Sequence, residues 1–201
     1  MNIKKINNIN FLGLKFLGEL SRSGKLSKDN YYKRRFDRDE FLSNNDIKII
    51  SYIDKNISKD ISIFEPGSGY SQVPLALSIL GYKVFALEVR EDRYKGSLYF
   101  KDKFSKTYGP LNNLEIAMGR YPKDAPKYNL INTNNFASTF NRENEESILN
   151  SFRSFHYCIL DARLFGFKRS DEDVVLLVSK LKEMGFLYEK CFDDFYIIRN
   201  T

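Results

Sequence analysis

The segment that most restricts the fold is Ile61-Ser62-Ile63-Phe64-Glu65-Pro66-Gly67-Ser68-Gly69-Tyr70-Ser71. Its β-branched and aromatic start predicts a short strand, and Gly67 and Gly69 predict a tight turn at the carboxyl end of that strand. A helix is expected next, over 71–80. Pro74 falls in its first turn, where a missing N–H costs nothing, and Gly81 follows its end. The same alternation continues downstream. Strands are predicted over 83–89, 114–118, 129–133 and 157–160, with helices over 90–108, 142–155 and 171–184. The stretches 186–192 and 195–199, joined at Asp193-Asp194, read as a hairpin. Strands alternating with helices predict an α/β protein whose open parallel sheet is covered on both faces, with an antiparallel strand added by the hairpin.

Charge divides the chain. Residues 1–38 carry ten Lys and Arg against Glu19, Asp29 and Asp37, while the other 163 residues carry 22 basic and 23 acidic side chains. The net charge of +6 therefore belongs to a basic N-terminal arm, 1–38, ahead of a nearly neutral domain, 39–201. That weakens the reading of a general nucleic-acid binder, though nucleic acid stays open as a partner. Within the arm, Ile6, Ile9, Phe16 and Leu20 recur at helical spacing. Such a helix can pack on its own domain, pair with a second subunit or touch a membrane surface. Residues 21–29 read as a linker, and a further helical stretch is expected over about 39–56, with an apolar stripe of Phe41, Ile49, Ile53 and Ile57.

No apolar run approaches the ~20 residues of a membrane span. Lys15 interrupts the apolar stretch near the start, so no signal peptide is read and a cytoplasmic protein is expected. Cys158 and Cys191 both fall in apolar runs and make no disulfide framework. One histidine and no Cys/His cluster offer no metal site.

Ligands of open parallel sheets bind beyond the carboxyl ends of the strands. The glycine turn is the first such end. A dinucleotide fingerprint needs glycine where Gln72 stands, and no Gly-Lys-Ser/Thr follows as a P-loop requires. Glu65 would repel a pyrophosphate and instead suits a ligand with an ammonium group. Glu88, ending the second strand in Ala86-Leu87-Glu88-Val89, can accept two hydrogen bonds from a ribose diol. Together they ask for a cationic nucleoside.

At these residues the sequence resembles the class I S-adenosylmethionine-dependent methyltransferases, which carry an acid-x-Gly-x-Gly-x-Gly turn after the first strand. Here the turn is Glu65-Pro66-Gly67-Ser68-Gly69-Tyr70-Ser71, with Ser71 at the third glycine position. Glu88 matches the family's ribose-binding acid. The resemblance covers roughly 39–200. It implies a Rossmann-like, doubly wound, mostly parallel sheet of seven strands with a C-terminal antiparallel hairpin. It also implies S-adenosyl-L-methionine as cofactor, held by Glu65, Gly67, Ser68, Gly69, Tyr70, Ser71, Glu88 and Val89. Where the family often places an adenine-binding acid or polar residue, this chain has Gly119-Arg120-Tyr121. Arg120 cannot accept a hydrogen bond from an amine, so adenine is held by backbone, by stacking on Arg120 or Tyr121, or by another loop.

Methyl transfer needs a nucleophile in line with the methyl group and, for a hydroxyl, a group that removes its proton. His156 starts the fifth strand, at the wrong edge of the sheet. At the end of the fourth, Asn132-Thr133-Asn134-Asn135-Phe136 lacks both prolines of the Asn/Asp-Pro-Pro-Tyr/Phe motif of base amino-methyltransferases. Asn134 and Asn135 bind the cofactor, orient a substrate hydroxyl, or simply form a turn. Asp161, ending the fifth strand, is the best-placed general base, and Arg163 is placed to bind an anionic substrate group. Tyr31, Tyr32 and Arg35 are expected to fold over cofactor and substrate as a lid.

The expected activity is methyl transfer to a small, anionic or sugar-like acceptor, by O-methylation. Two alternatives stay open: an RNA or protein methyltransferase that docks through the basic arm, and a non-catalytic domain that binds S-adenosylmethionine.

Overall fold

The computed structural model of the 201-residue chain describes residues 3–24, 30–133, 145–163 and 169–200. Two helices come first: α1 (Ile3–Arg22) and α2 (Asn30–Asp37). Next come α3 (Asn44–Asn56), β1 (Ile63–Pro66), α4 (Gln72–Ile79), β2 (Val84–Glu88), α5 (Glu91–Tyr108), β3 (Leu114–Met118) and β4 (Leu130–Asn132). The chain then forms α6 (Glu145–Ser151), β5 (Tyr157–Asp161), α7 (Asp171–Glu183), β6 (Leu187–Phe192) and β7 (Phe195–Arg199). The seven strands lie in the order β3-β2-β1-β4-β5-β7-β6. All neighbours are parallel up to β5; β7 runs antiparallel to both β5 and β6.

Successive residues of a strand point to opposite faces, and this sorts the core into two. Ile63, Leu130 and Ile159 face one side with α1, α3, α4 and α5. Phe64, Ile131, Cys158 and Leu160 face the other, under α6 and α7. Between β3 and β4 the described chain has no helix. Tyr121, Ala125 and Tyr128 of that connection pack on the second face instead.

The helical stretch expected over 39–56 begins later, at Asn44, because Ser43 caps it. The Ser43 hydroxyl accepts from Asp46 N–H and the Asp46 carboxylate accepts from Ser43 N–H. This reciprocal capping box satisfies two otherwise free donors. Ser170 and Asp173 do the same for α7.

The basic segment is built into the domain. Ile6, Ile9, Phe16, Leu17 and Leu20 of α1 lie in the first core, and Phe16 meets Phe104 edge-on at 5.3 Å. Gly13 lets α1 approach Phe41, since a Cβ there would lie 2.1 Å from that ring. The α1 stripe therefore packs on its own domain, while Ile3 and Phe11 stay exposed. Further on, the Arg35 guanidinium of α2 forms a buried ion pair with Asp46 at 2.8 Å and also donates to the Phe41 carbonyl. No described helix is long and apolar enough to cross a membrane.

Candidate functional site

The carboxyl edge of the sheet gathers most of the expected residues. At the end of β1 the chain turns through Gly67 (φ 63°) and Gly69 (φ 60°), both in the left-handed region that glycine adopts without penalty. Ser71 is also left-handed, at φ 56°. A side chain in that region costs about 1–2 kcal/mol. The buried Ser71 hydroxyl offsets part of this by donating to Ser97 Oγ at 3.0 Å, while Ser97 Oγ donates to the Gly69 carbonyl at 2.8 Å. The third glycine position thus keeps its backbone shape with a serine.

Glu88 closes the turn from the next strand. One carboxylate oxygen accepts from Gly69 N–H at 2.8 Å, and the other from Val89 N–H and Arg90 N–H at 2.8 and 2.9 Å. Tyr32, from α2, lies over the turn. Its ring stacks on Tyr70 with centroids 3.6 Å apart, and its hydroxyl accepts from Tyr70 N–H at 2.7 Å. A Cβ at Gly69 would meet that hydroxyl at 2.0 Å, so only glycine allows this approach.

Glu65 lies on the first face beside Asn132, as the pairing of Ile63 with Leu130 and Phe64 with Ile131 requires. Asn132 Nδ2 donates to Glu65 Oε2 at 2.6 Å. Glu65 Oε1 and Asn132 Oδ1 are buried and have no hydrogen-bond partner. Burial pushes the Glu65 carboxyl well above the usual carboxylate range; the Asn132 bond opposes this and the nearby Asp46 charge adds to it. Asn132 was expected only to head the segment Asn132-Thr133-Asn134-Asn135-Phe136, with no role of its own. Its role follows from β1–β4 adjacency, and the only signal available was a polar residue at the carboxyl end of an otherwise apolar strand.

The expected substrate residues are placed differently. Asp161 is buried at the end of β5, with one oxygen accepting from Arg163 N–H at 3.0 Å. The Arg163 guanidinium is bridged to Asp171 at 2.7 Å and to Asp194 at 2.8 Å. Arg35 spends its charge on Asp46 inside the protein. Arg120 is exposed, and its N–H donates to Asp124. Tyr121 turns its ring into the second core, 5.7 Å from that of Phe64. Asn134 and Asn135 lie outside the described residues, as does the side chain of Tyr31. His156 lies at the opposite edge, where its N–H donates to Asn129. There it lines a cleft of about 660 Å³ with Tyr121, Tyr128 and Phe155. Among the described residues no three His, Cys, Asp or Glu side chains gather as a metal would need.

Six strands of class I order, the reversed seventh in the hairpin and the glycine turn under an acid together decide the architecture. The fold is that of the class I methyltransferases. The magnesium protoporphyrin IX methyltransferase of Synechocystis PCC 6803, solved with bound SAH, superposes with a TM-score of 0.60 at 11% identity, over 78% of this chain and 81% of that one. A ribosomal protein L11 methylase from Lactobacillus delbrueckii subsp. bulgaricus gives 0.55 at 16% identity, over 80% and 81%. The fibrillarin/Nop5p complex gives 0.53 at 15%, over 78% and 82%. No protein-family model and no curated protein matches the sequence.

Proposed function

We propose that the protein is an S-adenosyl-L-methionine-dependent methyltransferase. The observation that carries this reading is the pair of partnerless buried acceptors, Glu65 Oε1 and Asn132 Oδ1, beside the glycine turn. Unsatisfied buried acceptors are costly, and an ammonium group supplies the N–H donors that both lack. Glu88 keeps acceptor capacity, since three N–H groups use three of a carboxylate's roughly four positions. Two ribose hydroxyls of a bound nucleoside would share what remains with the turn. Gly67, Ser68, Gly69, Tyr70, Ser71 and Val89 shape the turn beneath it, and Tyr32 walls it from the arm side. When bound, this cofactor supplies a methyl group on a sulfonium, ready for in-line displacement. The structures that share the fold include enzymes named for a porphyrin and for a ribosomal protein, so the fold leaves the acceptor open.

For the acceptor we infer a small anionic or sugar-like molecule methylated at oxygen. Asp161, at the same edge of the sheet, would remove the hydroxyl proton. The prolines that hold a planar amine in base amino-methyltransferases are absent after Asn132, which favours oxygen over an exocyclic nitrogen. An anionic group reaching Arg163 would compete with Asp171 and Asp194 for its guanidinium.

Titration calorimetry with S-adenosylhomocysteine tests the cofactor. Glu88→Ala is expected to weaken binding at least about tenfold, or 1.4 kcal/mol, and an unchanged affinity overturns the assignment. Transfer of labelled methyl groups to hydroxylated acids and sugars, set against RNA and protein, tests the acceptor. Asp161→Asn should abolish transfer while leaving cofactor affinity intact, and label entering only RNA or protein overturns the small acceptor.

A further inference from the structure

Glu65 is 1% exposed and Asn132 0%. Among the described residues no cation is paired with Glu65. The groups packed around it supply none. Asp46 of α3 bears on it as a like charge and has its own partner in Arg35 of α2. Gln72 of α4 donates to the Phe41 carbonyl. Glu88, on β2, is engaged by backbone N–H groups. One carboxamide donor does not offset the cost of taking a carboxylate out of water, so the empty site holds a neutral carboxyl. The raised affinity of the Glu65 carboxyl for its proton agrees with this.

Resting on the cofactor reading above, we propose that Glu65 and Asn132 form a proton-exchanging ammonium receptor: empty, the pair keeps one proton, and an entering ammonium group displaces it to solvent. The carboxyl O–H bond breaks, the proton leaves to water, and the carboxylate together with Asn132 Oδ1 accepts the N–H donors of the incoming group. The pair is neutral before binding and, with the ammonium counted, neutral after it. At no stage does this pocket hold an uncompensated charge, which is the condition a buried site must meet. Asn132 is the positioning residue: it fixes Glu65 Oε2 and brings its own Oδ1 as second acceptor.

The test is calorimetry of the full chain with S-adenosylhomocysteine, which keeps the amino group, in two buffers of different ionisation enthalpy. At about pH 6 the ligand's α-amino group is already charged, its ordinary pKa being about 7.7–8.0, so released protons come from the protein. Close to one proton released per ligand is expected, and the release should fall away as pH rises through the raised pKa of Glu65. Glu65→Gln, nearly isosteric, should release none and bind at least about tenfold weaker, near 1.4 kcal/mol. Asn132→Leu should bind more weakly yet still release the proton, a separation that a merely structural role would not produce. Binding by the wild-type chain without proton release overturns the exchange and leaves the cofactor reading standing. The same release from Glu65→Gln overturns it too. No binding by the wild-type chain overturns both readings. The wild-type proton count decides the matter even where a variant fails to fold.

Discussion

Glu88, at the end of β2, receives three backbone N–H groups, whereas Glu65, at the end of β1, receives one side-chain amide and keeps an oxygen without a partner. Both are about 1% exposed and stand one strand apart. The difference is one of supply. The turn after β1 aims Gly69 N–H at one oxygen of Glu88, and Val89 and Arg90 N–H, at the entry to the helix after β2, hold the other, so that carboxylate helps hold the loop together. Glu65 faces the interior side of the same turn, where Asn132 of β4 gives its one hydrogen bond and Asp46 of α3 adds a like charge. A carboxylate held by backbone donors in the empty protein shapes the loop before any ligand arrives and has only a little acceptor capacity left to offer it. One left wanting donors has its duty toward a ligand.

The largest effect is expected at Asp46, whose charge bears on Glu65. Arg35→Met removes the cation of its buried ion pair with Asp46, and denaturant unfolding should show a loss of about 3–5 kcal/mol. Glu88→Ala comes next. It strands the N–H groups of Gly69, Val89 and Arg90, and a loss of about 3 kcal/mol is expected in the same measurement. A smaller loss would mean that the turn holds its shape unaided, and the contrast between the two acids would narrow. Tyr32→Phe keeps the stacked ring but takes the acceptor from Tyr70 N–H, which should cost about 1 kcal/mol.

The smallest change at about pH 5, within ~0.5 kcal/mol, is expected for Glu65→Gln. It should grow with pH. In the unfolded chain this carboxyl ionises near its ordinary value of 4.5, while in the folded protein it stays protonated well above that. The folded state therefore binds the proton the unfolded state has lost. The wild-type chain should lose stability as pH rises from about that ordinary value, by at most ~1.36 kcal/mol per unit, until the folded pKa is passed. Glu65→Gln should lack this slope. Parallel stability curves for the two proteins would show that Glu65 is ionised in the empty site and would erase the contrast with Glu88.

What could be read from the chain alone was local. Strand β1, its glycine turn and α4 follow from apolar runs broken by Gly67, Gly69 and Gly81, and the hairpin from two β-rich runs around Asp193-Asp194. Ser43 and Asp46 already spelled a capping box, yet α3 was expected to start several residues too early, because an apolar stripe does not mark its own end. What escaped reading was set by pairing across the sheet. Asn132 meets Glu65 across 67 positions of sequence only because β4 lies beside β1 in one register. Likewise the pairing of Arg35 with Asp46 of α3 was not legible in the charge of the arm. Charge in a sequence says nothing about which neighbour will consume it.

The packing of α1 has a consequence for the order in which the protein is made. This helix is synthesised well before several of its partners. Phe16 waits for Phe104, Lys5 for the carbonyl of Ile79, and Asn8 for Tyr108, a separation of 100 residues. Until α5 has been synthesised, the row of Ile6, Ile9, Phe16 and Leu20 can be covered only in part, by earlier residues such as Phe41. While the segment between α1 and the end of α5 is being made, the helix is only partly covered, and exposed apolar surface invites chaperones or misassembly. Folding can close only when the tail of α5 comes back to meet α1.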